Sequence, residues 1–216
     1  NAQIRPLPLF AEYLRYGYYP FLKEGQNNYY VRIENVVNTI IEVELPQLRK
    51  LDVGNIRKVK SLLGILSSNV PFALDTVKLA TMAEISRTTL LNYLQILSEA
   101  RLIQLLYSDA TNVKRLQKPD KIYVHNPNML CALSREQNIG TLRECFAVNQ
   151  LSVGHTIEYS KTQGDYLIDG NITIEVGGMD KTFDQIAVIP HSYILADSME
   201  FPIGKKLPLW LVGLLY

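Results

Sequence analysis

Residues 164–177, Gly-Asp-Tyr-Leu-Ile-Asp-Gly-Asn-Ile-Thr-Ile-Glu-Val-Gly, constrain the fold of this chain more than any other stretch. Asp165 to Ile168 and Asn171 to Val176 read as two short strands. Between them stands Asp169-Gly170, a dipeptide preferred in tight hairpin turns. One acid, Asp165, opens the first strand, and another, Glu175, closes the second.

Two carboxylates at neighbouring strand ends are hard oxygen ligands suited to Mg²⁺. A metal held there orients water and stabilises charge on a phosphate. The order Asp, then Glu-x-Lys, is the layout of a metal-dependent nuclease core, with a third acid often supplied by a preceding helix. Glu144 is placed for that third role. The lysine position is occupied by Gly177, which has no charge to offer. Losing one such donor typically costs ~10²–10³ in rate. Lys181, four residues further on, is the candidate substitute. The candidate catalytic set is therefore Glu144, Asp165, Glu175 and Lys181, with Asp165 and Glu175 as candidate metal ligands. The gap at Gly177 predicts a degenerate, inactive site.

The remainder divides into a helical part and an α/β part. Tyr30 to Leu45 carries Ile33, Val36, Val37, Ile40 and Ile41 at a helical period, with Pro46 expected to end it. Asn55 to Leu66 gives a second helix. Asp75 caps a short helix, and Ser86 caps another that buries Leu90, Leu94 and Leu97. Strands over 102–107 and 121–125 come next. Two helices joined by a turn and then a hairpin make a winged helix-turn-helix. After the breakers Asn126-Pro127 and Asn138-Ile-Gly140 come a helix over 141–151 and strands over 155–159, 165–168, 171–176 and 192–196, with a helical turn over 181–186. The expected class is α+β, with units at 1–70, 71–130 and 131–216. Tyr13, Tyr16, Tyr18, Tyr19, Tyr29 and Tyr30 lie within the first thirty residues. They serve either as core of the domain C-terminal to them or as a surface for an absent domain.

The second helix of the helix-turn-helix suits a DNA major groove, where Arg reads guanine and Asn reads adenine. Arg87, Thr88 and Asn92 are the candidate base readers. Lys114, Arg115, Lys118 and Lys121 in the hairpin region are candidate phosphate contacts. Against a wholly polyanion-directed protein stands a formal net charge of +1. Cys131 and Cys145 form no metal or disulfide framework, which fits a reduced, cytoplasmic setting. His125, His155 and His191 are isolated. No apolar run approaches the ~20 residues of a membrane span. No phosphate loop of the form Gly-x-x-x-x-Gly-Lys-Ser/Thr occurs, so no ATP site is expected in these 216 residues. No initiator Met opens the chain, which is expected to start inside a longer parent.

Taken in order, these pieces resemble the C-terminal half of a family of prokaryotic AAA+ ATPases. The matching stretches are Phe10-Ala-Glu-Tyr-Leu-Arg-Tyr-Gly-Tyr-Tyr-Pro20, Ile85-Ser-Arg-Thr-Thr-Leu through Ala100-Arg-Leu-Ile103, Gly140-Thr-Leu-Arg-Glu144, and the Asp165 to Gly177 hairpin. The resemblance implies a P-loop ATPase module earlier in the parent chain, where ATP would bind. It also implies a winged helix and a domain of unknown function related to PD-(D/E)xK nucleases. The function expected on these grounds is a non-catalytic accessory region that binds DNA or a protein partner. The alternatives are a Mg²⁺-dependent nuclease and a structural module for homo-oligomerisation.

Overall fold

The computed structural model describes residues 4–49, 52–68, 75–108, 118–134 and 138–215. Helix α1 (Pro6–Tyr16) starts on a proline, whose fixed φ suits a first helical position. A 3₁₀ turn at Pro20–Glu24 leads into α2 (Tyr29–Thr39). A π-helical turn, Ile40–Glu44, then feeds directly into α3 (Leu45–Arg49). Pro46 does not end the helical run as expected. It lies inside a continuous helical run, two residues after the π-helical turn. Helix α4 (Val53–Ser68) buries Val59, Leu62 and Leu63.

Helices α5 (Thr76–Met82) and α6 (Arg87–Glu99) form the helix-turn-helix. Asp75 accepts from the N–H groups of Val77 and Lys78, and Ser86 from that of Thr89, so both caps form as the sequence indicates. Leu90, Leu94 and Leu97 are buried, joined by Tyr93 and Ile96. Strands β1 (Ile103–Leu106) and β2 (Lys121–Val124) pair antiparallel and complete the winged arrangement.

Asn126-Pro127 opens a helix where a break is expected from the sequence. In α7 (Pro127–Leu133) the Asn126 side chain accepts from the Met129 N–H and Pro127 takes the first turn. Asn128 is fully buried. Its carbonyl oxygen accepts from the Tyr29 hydroxyl and, at 2.8 Å, from the Tyr18 N–H. Its amide donates to the carbonyls of Leu14 at 2.8 Å and Tyr13 at 3.2 Å. The tyrosine-rich opening is therefore packed into the molecule: Tyr29 is buried, and Tyr13, Tyr16, Tyr18, Tyr19 and Tyr30 lie half-buried against the same core.

Helix α8 (Ile139–Leu151), capped by Asn138, precedes a mixed sheet of order β3-β4-β5-β6-β7. Its strands are Ile157–Tyr159, Tyr166–Ile168, Ile172–Gly177, Ser192–Ala196 and Lys206–Pro208. The first three run antiparallel; β6 and β7 run parallel to β5. Within residues 181–186, where a helical turn is expected, only 184–186 form a turn. A 3₁₀ turn, Leu209–Leu214, packs back on α8. Among the described residues one hydrophobic cluster runs from Phe10 to Val212 and takes in Ile174, Val176 and Leu195. A satellite of Ile186, Ile194, Ala196 and Met199 lies apart from it. Side chains alternate along β5, so Glu175 points away from the face of Ile174 and Val176. Among the described residues no helix is long and apolar enough to cross a membrane.

Candidate functional site

The hairpin sets the acids first. Gly164 has φ +71°, and a Cβ there would stand 2.7 Å from Thr173 Cγ2 and 3.1 Å from the Ile174 carbonyl. Only glycine permits that approach. The Asp165 N–H can then donate to the Ile174 carbonyl at 2.8 Å, while Asp165 Oδ2 accepts from the Val176 N–H at 2.8 Å. The ladder ends with Tyr166 opposite Ile174, so Asp165 sits just before the paired strand and turns its carboxylate to the β5 backbone. Burial raises the Asp165 carboxyl above its ordinary range, and the nearby charges of Glu144 and Glu175 raise it further. The Val176 N–H and Lys121 oppose that rise.

Glu175 is 1 % exposed. Its Oε1 lies 2.5 Å from Lys181 Nζ, while its Oε2 is buried with no hydrogen-bond partner among the described residues. The lysine reaches it in a specific way. A Cβ built on Gly177 would stand 2.9 Å from Lys181 Cβ and Cγ and 3.0 Å from Cδ. The stem of Lys181 thus lies across the bare backbone of Gly177, in the space a side chain at 177 would enter. Residues 175 and 177 share a face of the strand, so the ammonium arrives beside Glu175 from that same side. The Glu175 hydrogen bond raises the Lys181 ammonium above the ordinary lysine range, helped by the charges of Glu175, Asp165 and Glu144.

Glu144 comes from α8. Its Oε2 accepts from Lys121 Nζ at 2.9 Å and from the hydroxyls of Tyr123 at 2.5 Å and Tyr166 at 3.4 Å. Lys121 is also surrounded by aromatic rings, with centroids of Tyr123, Tyr159 and Tyr166 at 5.4, 5.5 and 5.9 Å. Arg143, the preceding residue on α8, donates from Nε to Asp197 Oδ2 at 2.8 Å, and its guanidinium lies over Gly178. The Asp197 N–H donates to the Gly177 carbonyl at 2.9 Å, which closes this end of β5 and β6. Among the described residues no group of three or more His, Cys, Asp or Glu is disposed to hold a metal ion.

The structure thus brings Glu144, Asp165, Glu175 and Lys181 within one another's electrostatic reach. Sequence reasoning does not find Lys121, Tyr123, Tyr166, Arg143 or Asp197 as members of this neighbourhood. Lys121 reads from the sequence as a candidate phosphate contact, and Arg143 as an ordinary basic position. The candidate DNA face is separate. Arg87, Thr88 and Asn92 are exposed on the first turns of α6, and Lys118 is exposed at the foot of the hairpin. Lys121 is not presented with them, since its side chain is 12 % exposed and turned to Glu144. Lys114 and Arg115 lie outside the described residues.

A family described as a domain of unknown function, DUF8612, matches residues 7–141. That span is more than half of the chain. The chain belongs to the DUF8612 family. The matched span holds the helical half, the helix-turn-helix and Lys121, and it ends before Glu144. The chain is also 24 % identical over 194 residues to the uncharacterized protein MJ1637 of Methanocaldococcus jannaschii, covering 81 % of this chain and 41 % of that protein. It spans about two fifths of that relative's length. No solved structure gives a significant match. Neither the family description nor the relative's name refers to an ATPase.

Proposed function

We propose that the chain is the DNA-handling region of a larger AAA+ ATPase-type protein, and that its acid–lysine site hydrolyses a phosphodiester with Mg²⁺. The observation that carries the hydrolytic part is Lys181. Its stem fills the space over Gly177 and its ammonium stands on Glu175 Oε1, so the charge expected at position 177 is supplied from position 181. The layout Asp, Glu-x-Lys is kept in space though broken in sequence. The ATPase parent is carried by the family resemblance and not by the geometry.

The donor chemistry fits a hard divalent cation. Asp165 and Glu175 are carboxylates close enough for their charges to act on each other, and the buried Glu175 Oε2 has no partner among the described residues. Bound Mg²⁺ would stabilise charge on the phosphate and lower the pKa of a bound water. Lys181 would hold its positive charge beside the developing phosphate charge, the kind of fixed donor that is worth ~10²–10³ in rate. Glu144 adds a third negative charge from the helix side. The exposed Arg87, Thr88 and Asn92 would dock duplex DNA. Plasmid and single-stranded DNA incubated with Mg²⁺ or Mn²⁺ test this reading. Cleavage that vanishes in Asp165→Ala, Glu175→Ala and Lys181→Ala supports it; intact DNA with the wild-type chain ends it.

A second reading, a non-catalytic accessory region, is favoured by two observations. No three acids are disposed for a metal among the described residues. An apolar groove of about 1180 Å³ lies between Ile4–Phe10 and the Phe201 to Leu214 stretch, of a kind that suits a protein partner. DNA or partner binding without cleavage would select this reading.

A further inference from the structure

We propose that Lys121 is a positioning residue for the acid site, holding Glu144 from the winged-helix hairpin so that its free carboxylate oxygen faces the site. The inference rests on the hydrolytic reading above. Lys121 is the first residue of β2 and pairs with Leu106, the last of β1. All three bonds to Glu144 from Lys121, Tyr123 and Tyr166 fall on Oε2. Among the described residues Oε1 takes none. Tying down one oxygen of a carboxylate fixes the direction of the other, and the charge of Glu144 is felt at both Asp165 and Lys181.

The tether is built rather than incidental. The ion pair is sheltered, with side chains 12 % and 24 % exposed, and the ammonium sits among three tyrosine rings. An exposed surface pair contributes little, whereas a desolvated charge surrounded by aromatic faces gains more from each contact. The Tyr123 and Tyr166 hydroxyls lie 2.7 Å apart, so the Tyr166 O–H can turn to the Tyr123 oxygen while the Tyr123 O–H holds Glu144.

The foot of the wing is fastened to the sheet by other bonds too. The Tyr159 N–H donates to the Tyr107 carbonyl at 2.9 Å. Lys161 Nζ lies 2.7 Å from Asp120 Oδ1, and the Ser108 N–H donates to Asp120 Oδ2 at 2.7 Å. The wing strand and the acid site therefore share one hydrogen-bonded frame, and Lys121 is the member of it that ends on an acid of the site. A compact ammonium among three rings, reaching one oxygen, is a positioning arrangement; it touches none of the reacting atoms.

The test uses the whole chain as Lys121→Met, Lys121→Arg and the double variant Tyr123→Phe/Tyr166→Phe. Each is assayed with duplex DNA and Mg²⁺, and crystal structures record where the Glu144 carboxylate stands. Lys121→Met is expected to swing Glu144 away and lower kcat by roughly 10–10²-fold, the scale of an ångström-sized misplacement. KM should change much less. Lys121→Arg should recover part of kcat. The tyrosine double variant, which keeps every charge, should lower kcat in the same direction, and it stands in for Lys121→Met if that variant does not fold. A Glu144 carboxylate unmoved in Lys121→Met, or unmoved in the double variant where Lys121→Met does not fold, overturns the proposal. If the wild type cleaves nothing, the hydrolytic reading fails by itself, and the position of Glu144 in the variants still decides whether Lys121 positions it.

Discussion

Gly177 is the residue on which the proposed chemistry turns. A glycine there leaves room for the Lys181 stem, and any side chain removes that room. Gly177→Ala should push the lysine off Glu175 and destabilise the fold by about 1–3 kcal/mol, the usual cost of overpacking. Urea unfolding of the two proteins checks this, and an unchanged midpoint would mean that the stem simply slides aside. Asp165 yields a pH prediction. Its carboxyl is raised in the fold, above all by burial, so the folded state holds a proton more tightly than the unfolded chain does. The stability that goes with that proton is complete below the ordinary carboxylate range and is lost as pH rises through the raised value. Asp165→Asn keeps an oxygen for the Val176 N–H without the charge. With chelator present, its melting temperature should exceed the wild type's at pH 7, and the gain should shrink on acidification. An advantage that grows at low pH would contradict this.

At the scale of elements, the sequence is legible where a local signal has one meaning. The Asp75 and Ser86 caps, the Leu90, Leu94 and Leu97 stripe and the Asp169-Gly170 turn are each read by a few residues, and each forms as expected. It misleads where the same residues serve two purposes. Asn126-Pro127 looks like a break, yet Asn is a good N-cap and Pro a good first helical residue. Pro46 reads as a stop, yet the helical run passes through it after the π-helical turn. The acids and their candidate lysine are legible from spacing. Their neighbours are not, because Lys121 and Tyr123 lie over twenty positions before Glu144 and meet it only through tertiary packing. Asn128 is the most connected of these hidden residues. Asn128→Ala would leave the Tyr18 N–H, the Tyr29 hydroxyl and the Leu14 carbonyl without this partner, while the Tyr13 carbonyl keeps the Gly17 N–H, at about 1–3 kcal/mol for each group left unsatisfied in the core. We expect a loss of at least about 3 kcal/mol in denaturant unfolding, together with new proteolytic cleavage between residues 13 and 30. A loss confined to a few tenths would show that α7 does not hold that segment.

At the scale of the whole molecule, the proposed function gives two surfaces different tasks. The α6 face carries few charges, and the chain is nearly neutral at +1, so DNA affinity should depend on local contacts more than on a global field. Binding should still weaken with salt as counterions are released, with a shallow slope. Arg87→Ala should cost ~1–3 kcal/mol and relax sequence preference, whereas Lys118→Ala should weaken all sequences alike. Titrations against several duplexes at two salt concentrations separate the two, and equal loss for every sequence in Arg87→Ala would remove it as a base reader.

The acid site makes the sharper claim, that a lysine has moved four positions along the chain while its charge stayed in place beside Glu175. Moving it back is the direct test. DNA cleavage with Mg²⁺ should be present in the wild type, lost in Lys181→Ala, and at least partly restored in Gly177→Lys/Lys181→Gly, where removing the whole side chain at 181 also removes the Cβ that would stand 2.9 Å from a Cβ at 177. A double variant as inactive as Lys181→Ala, folded and still binding DNA, would contradict the account.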